Sequence, residues 1–381
     1  MIEIQFIINS LEVGGAERHL SQVLPALKKM GFAIKVILLS NKATLKPIFD
    51  KAGIPVILGP NFDFLPKIIR RPVSLVTSVC RLICNFLSNR TAIRHPFLPE
   101  AYLLTAFVAR LTFFKGPLVM SRRSLDNYQQ RRPALKLEKW FHRFTSFALG
   151  NSKAVVQQLY QEGFDHQKVG LIYNGITPQP FQNLPTKQTL RENLDLSQDA
   201  LIFIIVANLI PYKGHIDLLN AMALIKPKLP ENWHLLCTGK DAGTIEHLKN
   251  HVSILGLTKH VKFLGLRDDT AQLLTAADIA ILCSHEEGFS NAILEAMAAG
   301  LPLVVTDVGG NSEAVQDRIT GIVVPPKNSE SLADALLVLA LDPQLRQIYG
   351  DAGKERFYQH FTLSQCVQKY ADFYQKLDKN F

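Results

Sequence analysis

Two segments of this chain repeat one order of features, and that order limits the fold more than anything else in the sequence. The first is the apolar run Ile4 to Asn9, a loop with Gly14 and Gly15, and a helical pattern through Leu20, Val23, Leu24 and Leu27. The second is the run Leu201 to Ala207, a loop with Lys213 and Gly214, and a helical pattern through Ile216, Leu219 and Met222. An apolar strand, a glycine-bearing turn and an amphipathic helix are how a parallel α/β domain begins. A chain of 381 residues has room for two such domains with separate cores.

Further strands are expected at Ala33 to Leu39, Pro55 to Leu58, Leu118 to Ser121 and Val169 to Tyr173 in the first half. In the second they are expected at Trp233 to Gly239, Val261 to Leu264, Ile279 to Cys283, Leu303 to Thr306 and Gly321 to Val324. Helical patterns between them suit right-handed crossovers. The expected layout is a first domain over 1–177, a linker over 178–195 containing Pro178, Pro180 and Pro185, and a second domain over 196–355. A C-terminal helix over 356–381 is expected to pack back on the first domain. Two doubly wound domains facing each other would enclose a cleft at their strand C-terminal ends, where such folds bind ligands.

Composition narrows the setting. The chain is 47% hydrophobic and 20% charged, as soluble globular proteins are. Its N-terminus carries Glu3 and no basic stretch, unlike a secretory signal, and no run of 18 apolar residues suggests a spanning helix. Cys80, Cys84, Cys237, Cys283 and Cys366 form no Cys-x-x-Cys pair, so reduced thiols in a cytoplasm are expected and not a zinc site or disulfide framework. The net charge of +9 is concentrated: residues 64–143 hold 15 Lys/Arg against 3 Asp/Glu, and the rest of the chain holds 27 against 30. Such a stretch attracts a polyanion. From Leu65 to Phe114 the basic residues alternate with Ile, Leu, Val and Phe, which fits either a membrane-surface patch or ordinary core with basic edges. No helix-turn-helix or RNA-binding aromatic motif accompanies the charge, so no nucleic-acid partner is expected.

The chemistry concentrates in Ser284-His285-Glu286-Glu287-Gly288-Phe289-Ser290-Asn291-Ala292-Ile293-Leu294-Glu295, which follows the strand pattern Ile279 to Cys283. A helix beginning near Ser290 would offer unpaired N–H groups and a dipole suited to a diphosphate. Glu287 and Glu295 are eight residues apart, roughly 12 Å along a helix. That exceeds the roughly 5 to 9 Å separating a glycosidase's carboxylate pair. It suits two anchors on one elongated ligand. The bland alternative is a pair of solvated acids near a helix start; the apolar neighbours Leu294, Ala296 and Met297 speak against that for Glu295.

The stretch from Val261 to Val324, with VKFLG, AADIAIL, EEGFSNAILEAMAAGLPLVVTDVGGNSEAV and GIVVPP, resembles glycosyltransferase family 4, which has the two-Rossmann GT-B fold. The Glu-x7-Glu spacing is that family's signature. Gly14-Gly15-Ala16-Glu17-Arg18 resembles its N-terminal loop, and Asn151-Ser152-Lys153 through Ile172-Tyr173-Asn174-Gly175-Ile176 its pre-linker segment. The resemblance implies retaining transfer of a sugar from a nucleotide-sugar donor, most readily a UDP-sugar, to a saccharide or lipid-linked acceptor, as in cell-surface polysaccharide assembly. It implies that Glu295 holds the ribose, Glu287 faces the donor sugar, and main-chain amides near Phe289, Ser290 and Asn291 meet the diphosphate and sugar. Lys213 offsets leaving-group charge. The expected catalytic residues are Glu287, Lys213 and His95. The expected donor-binding set is Gly14, Gly15, Asn208, Lys213, Gly239, Arg267, Glu287, Gly288, Phe289, Ser290, Asn291 and Glu295. The nucleotide sugar is a substrate, and no cofactor or metal is expected.

One position departs from the family pattern. Asn208 stands where an Arg usually precedes the lysine, which lowers the cationic support for a leaving diphosphate unless Arg18 or Arg267 supplies it. The alternative function is therefore a catalytically weak or inactive GT-B protein that binds nucleotide sugar or glycan. His95 fits either an acceptor-side role or a surface histidine beside Pro96, and Arg122-Arg123 either an acidic-acceptor contact or a solvated loop. The expected location is the cytoplasm, with peripheral attachment to the inner face of the cytoplasmic membrane.

Overall fold

The computed structural model describes residues 1–125 and 134–379. The chain divides into a first unit, Met1–Gly175 with Leu363–Phe381, and a second, Ile176–Thr362.

The first unit contains strands β1 (Glu3–Ile8), β2 (Ala33–Leu38), β3 (Val56–Ile57), β4 (Ile93–Pro96), β5 (Val119–Arg122), β6 (Phe147–Gly150) and β7 (Val169–Leu171). Two parallel sheets, ordered β3-β2-β1-β4 and β5-β6-β7, are joined by parallel bridges from Arg94 to Leu118 and from Phe97 to Ser121. The order reverses direction between β1 and β4, the point where doubly wound folds open a crevice. Helices cover the sheet, and the β1 residues Ile4, Phe6, Ile7 and Ile8 are all buried. The helix Gly15–Lys29 and the C-terminal helix Leu363–Asp378 share one core, in which Leu20, Leu24 and Leu27 join Val367, Tyr370 and Tyr374.

The second unit is one six-stranded parallel sheet of β8 (Leu201–Val206), β9 (Trp233–Thr238), β10 (Val261–Gly265), β11 (Ile279–Leu282), β12 (Leu303–Thr306) and β13 (Gly321–Val324), in the order β10-β9-β8-β11-β12-β13. Its reversal falls between β8 and β11, which pair Phe203 with Ile279 and Ile205 with Ile281. The run LIFIIV is apolar because helices cover both faces of its strand. Trp233 is buried and stacks flat on His260 at 4.2 Å.

Four details differ from the sequence-based expectation. The stretch 178–195 is not an open linker: it carries the helix Lys187–Asn193 and belongs to the second unit. Lys187 and Arg191 of that helix pair with Asp278, which also accepts the Ile202 N–H at 2.7 Å. The C-terminal helix over 356–381 is two helices, Pro343–His360 and Leu363–Asp378, broken at Phe361; residues 380 and 381 lie outside the described residues. Strands β4 and β6 did not stand out, being four residues long. In β4 the polar pair Arg94 and His95 also masks the pattern, yet both are fully buried. Arg94 achieves this between the rings of Phe86 and Phe114, at 4.6 and 5.3 Å, donating to the Asn85 and Asn89 carbonyls.

Tyr374→Ala is expected to destabilise the first unit by about 3–5 kcal/mol, the cost of emptying a large aromatic site. Amide exchange checks this: β1 and β4 should lose protection while β8 and β11 keep theirs.

Candidate active site

In the second unit the loops after β8 and β11 leave neighbouring strands at the reversal of the sheet. The β8 loop ends in the tight turn Pro211–Lys213 and Gly214, which opens the helix His215–Ile225. Gly214 has φ +75°, and a Cβ there would lie 2.0 Å from the Cys283 carbonyl oxygen. Only glycine allows both the backbone conformation and that close crossing of the two loops. The crossing brings Lys213 to Glu287, 74 residues away in sequence, in a direct ion pair. Their side chains are 16% and 12% exposed, so the pair is screened less than a surface pair would be. The Ser284 hydroxyl donates to the same Glu287 oxygen at 2.8 Å. The loops are tied again where the His285 N–H donates to the Tyr212 carbonyl at 2.7 Å and the His285 ring meets Asp217 at 2.6 Å. His215 is buried beside this turn; burial, and then the Lys213 charge, push its pKa down to about 4.

Glu287 leads into Gly288, the buried Phe289, which packs on Phe361, and Ser290, which begins the helix Asn291–Ala299. The first N–H groups of a helix have no partner inside it, and its dipole favours an anion. Glu295 lies half-buried on this helix beside the fully buried Leu294. Gly239 ends β9 at φ +156°, where a Cβ would come within 2.1 Å of the Ala207 carbonyl oxygen. Asn208 is exposed, and its side-chain oxygen accepts the Lys240 N–H at 3.1 Å, so it fastens the end of β8 to the end of β9. Arg267, a candidate to replace the expected arginine, is held by Asp269 through bonds of 2.8 and 2.5 Å. The structure thus brings Lys213 and Glu287 together, continues Glu287 into the 288–295 segment, and leaves Arg267 on a separate pair.

In the first unit Gly14 precedes the helix Gly15–Lys29 in extended backbone, and a Cβ on Gly15 would meet no atom within 4 Å. Neither glycine is demanded by conformation, and a Cβ on Gly14 would run into the Glu17 carboxylate at 2.3 Å. His95, expected as a catalytic residue, has no exposed surface. Its Nδ1 lies 2.5 Å from the Tyr374 hydroxyl and its Nε2 2.8 Å from the Ser121 hydroxyl. Both ring nitrogens are engaged within the core, and neither is presented to a substrate. Arg122 also departs from the reading of Arg122-Arg123 as an acceptor contact. It is buried between Glu138 and Glu162. Arg123 remains half-buried, donating to Asn174 at 2.5 Å and to the Tyr370 hydroxyl at 3.2 Å. Among the described residues Glu138, His142 and Glu162 form a metal-like grouping, but the Arg122 guanidinium already bridges the two carboxylates. Burial would raise the Glu162 pKa; the His142 hydrogen bond and the Arg122 charge outweigh it and hold the carboxyl below its ordinary range.

Two family models match consecutive parts of the chain: Glycosyltransferase Family 4 over residues 13–179 and Glycosyl transferases group 1 over 186–356. The chain belongs to glycosyltransferase family 4. One similar relative is N-acetyl-alpha-D-glucosaminyl L-malate synthase of Bacillus anthracis, 28% identical over 232 residues, 60% of each chain; the match therefore spans less than two thirds of that relative. Another is UDP-Gal:alpha-D-GlcNAc-diphosphoundecaprenol alpha-1,3-galactosyltransferase of Escherichia coli, 28% identical over 339 residues, 83% of this chain and 86% of the relative. Among solved structures, Anabaena HepE in complex with UDP and glucose matches with a TM-score of 0.86 over 99% of this chain and 100% of that one, at 23% identity. That likeness is one of fold, and the fold of this family 4 chain is GT-B.

Within this family 4 chain, Ser284, Asp217 and Gly309 were not singled out from the sequence. Gly309 had a signal, since a glycine pair lies two residues beyond the β12 pattern, after Asp307 and Val308. Ser284 and Asp217 had none, because their roles exist only where two loops meet.

The buried histidines give the first unit a pH dependence. Burial, and then the Arg123 charge, push His95 down to about 3 and His19 well below its usual value. Both are neutral in the folded chain, whereas the unfolded chain takes up protons near pH 6.5. Stability is complete above pH 6.5 and falls as the pH drops from there toward 3. Thermal melts from pH 7 to pH 5 should show that loss, about 1.4 kcal/mol per pH unit for each histidine. The slope should lessen in His95→Asn.

Proposed function

We propose that this chain transfers a glycosyl unit from a UDP-sugar to a saccharide or lipid-linked acceptor, with retention of anomeric configuration. The observation that carries the proposal is the Lys213–Glu287 pair at the sheet reversal, running directly into the helix that bears Glu295. In this reading Glu295 takes the ribose hydroxyls and Glu287 the donor sugar. The amides around Phe289, Ser290 and Asn291 meet the diphosphate and sugar. Lys213 stabilises the charge that grows on the departing diphosphate, a large term in group transfer, and no metal is needed. HepE, whose structure holds UDP and glucose, and the Escherichia coli galactosyltransferase, whose name gives UDP-Gal as donor and a diphosphoundecaprenol-linked acceptor, support the donor and the acceptor class. Asn208 supports the second reading, a GT-B protein that binds without fast turnover, because it brings an amide and not a cation to the end of β8.

Incubation with UDP-, GDP-, ADP- and dTDP-sugars should raise the melting point for UDP-sugars alone, since a ligand selective for the folded state stabilises it. The stabilising sugar should then release UDP on turnover, and Glu287→Gln should slow that release by about 100-fold or more. Full turnover by Glu287→Gln would remove this site from the chemistry, and binding without release would favour the second reading.

We also propose cytoplasmic location with peripheral attachment to an anionic membrane through the basic 64–143 region, of which 126–133 lie outside the described residues. No described helix is long and apolar enough to cross a membrane. The helix Lys67–Ser88 contains four basic residues and no acidic one. No side chain described between 68 and 77 is buried, and Ile68 and Val76 are 88% and 62% exposed, with Phe64 just before the helix at 79%. Basic charge beside exposed apolar side chains suits the interface of an anionic bilayer. The protein should sediment with phosphatidylglycerol-containing liposomes at low salt and less at high salt. The double variant Ile68→Asp, Val76→Asp should lose most of that binding while keeping UDP affinity.

A further inference from the structure

We propose that Gly309 and Ser284 are positioning residues that together aim the Glu287 carboxylate. The inference rests on the role given to Glu287 above and concerns what holds that residue in place.

The turn after β12 lies directly against the Glu287 loop. Gly309 has φ +54°, and a Cβ there would stand 1.9 Å from the Glu287 carbonyl oxygen and 2.7 Å from its carbonyl carbon. Both atoms are main chain, so no side-chain rotation could relieve the overlap; the Glu287 peptide would have to move. The same turn grips the loop on either side of Glu287. The Gly310 N–H donates to the Gly288 carbonyl at 2.8 Å, and the Thr306 hydroxyl donates to the Ser284 carbonyl at 2.6 Å. The turn is itself anchored. Fully buried Asn311 donates through its side chain to the Thr306 carbonyl at 3.1 Å, and the Asp307 N–H donates to the Val324 carbonyl of β13 at 2.8 Å. Ser284, fully buried, then returns a hydrogen bond of 2.8 Å from its hydroxyl to the Glu287 carboxylate. Glu287 is therefore fixed at its main chain by the bare backbone of Gly309 and at its carboxylate by Ser284. Neither needs to touch a substrate to set where that carboxylate points.

The test compares Gly309→Ala, Ser284→Ala and Glu287→Gln with Gly243→Ala. Gly243 shares the positive-φ backbone, at +95°, but a Cβ there meets nothing within 4 Å, so it reproduces the backbone strain without the collision. The readouts are kcat for UDP release from the UDP-sugar that raises the melting point, and the Kd of UDP alone. Gly309→Ala should lower kcat about 100-fold, as a misplacement of about 1 Å does, with UDP affinity retained because the Glu295 end is undisturbed. Ser284→Ala should lower kcat about tenfold, the worth of one hydrogen bond to a charged group, again with UDP affinity retained. Gly243→Ala should keep both. The inference is overturned if Gly309→Ala and Ser284→Ala turn over normally while Glu287→Gln does not. It is also overturned if kcat and UDP affinity collapse together, which marks general loss of the loop. Normal turnover by Glu287→Gln overturns the site reading itself and this inference with it. Should Gly309→Ala fail to fold, Ser284→Ala decides alone.

Discussion

The parallel pairing of β8 with β11 is the constraint on which the donor-side site depends. Strands far apart in sequence become neighbours there, and their C-terminal ends release two loops side by side. Lys213 and Glu287 meet because Gly214 lets one loop pass against the Cys283 carbonyl and Gly309 lets a third loop pass under Glu287. Each crossing depends on a missing Cβ. The electrostatics follow from the crossings: a cation and a carboxylate, both largely withdrawn from water, neutralise one another where a diphosphate sugar is proposed to bind. Such a pair is strengthened by partial burial, and each member left alone there would be costly.

The first unit uses the same architecture with its polar groups turned inward. Arg122, at the end of β5, is closed in by Glu138 and Glu162, and His95 in β4 by Tyr374 and Ser121. Buried charges persist only when paired and hydrogen-bonded, and Arg122 meets both conditions. Residues at strand ends are natural candidates for ligand contact, yet here burial assigns two of them to the core. Tyr374 shows how closely the C-terminal helix belongs to that core: it packs on Phe6 and Phe32 while its hydroxyl meets His95. Arg123, one residue beyond Arg122, keeps part of its surface.

The legibility of the sequence followed the range of the forces involved. The β8 and β11 strands stood out because a central parallel strand is covered on both faces and reads as an unbroken apolar run. The linker was misread because three prolines outweighed a seven-residue helix, whose partner Asp278 lies more than 80 residues onward. Strand β4 was hidden because Arg94 and His95 look like surface residues until Phe86, Phe114 and Tyr374 are in place around them.

By itself the sequence pointed to two α/β units and, through its motifs, to the family, and it singled out Lys213 and the Glu287–Glu295 segment as candidates. These rest on short-range patterns: strand and helix periodicity, glycine at turns, and a fixed spacing of acids along one helix start. Only the tertiary structure decided which polar residues are spent on the core. It withdrew His95 and Arg122 from the surface, tied Arg267 to Asp269, and disclosed Ser284 and Gly309 behind Glu287. The physical reason is that burial, and the approach of one backbone to another within a Cβ radius, are properties of chain segments that the sequence holds far apart.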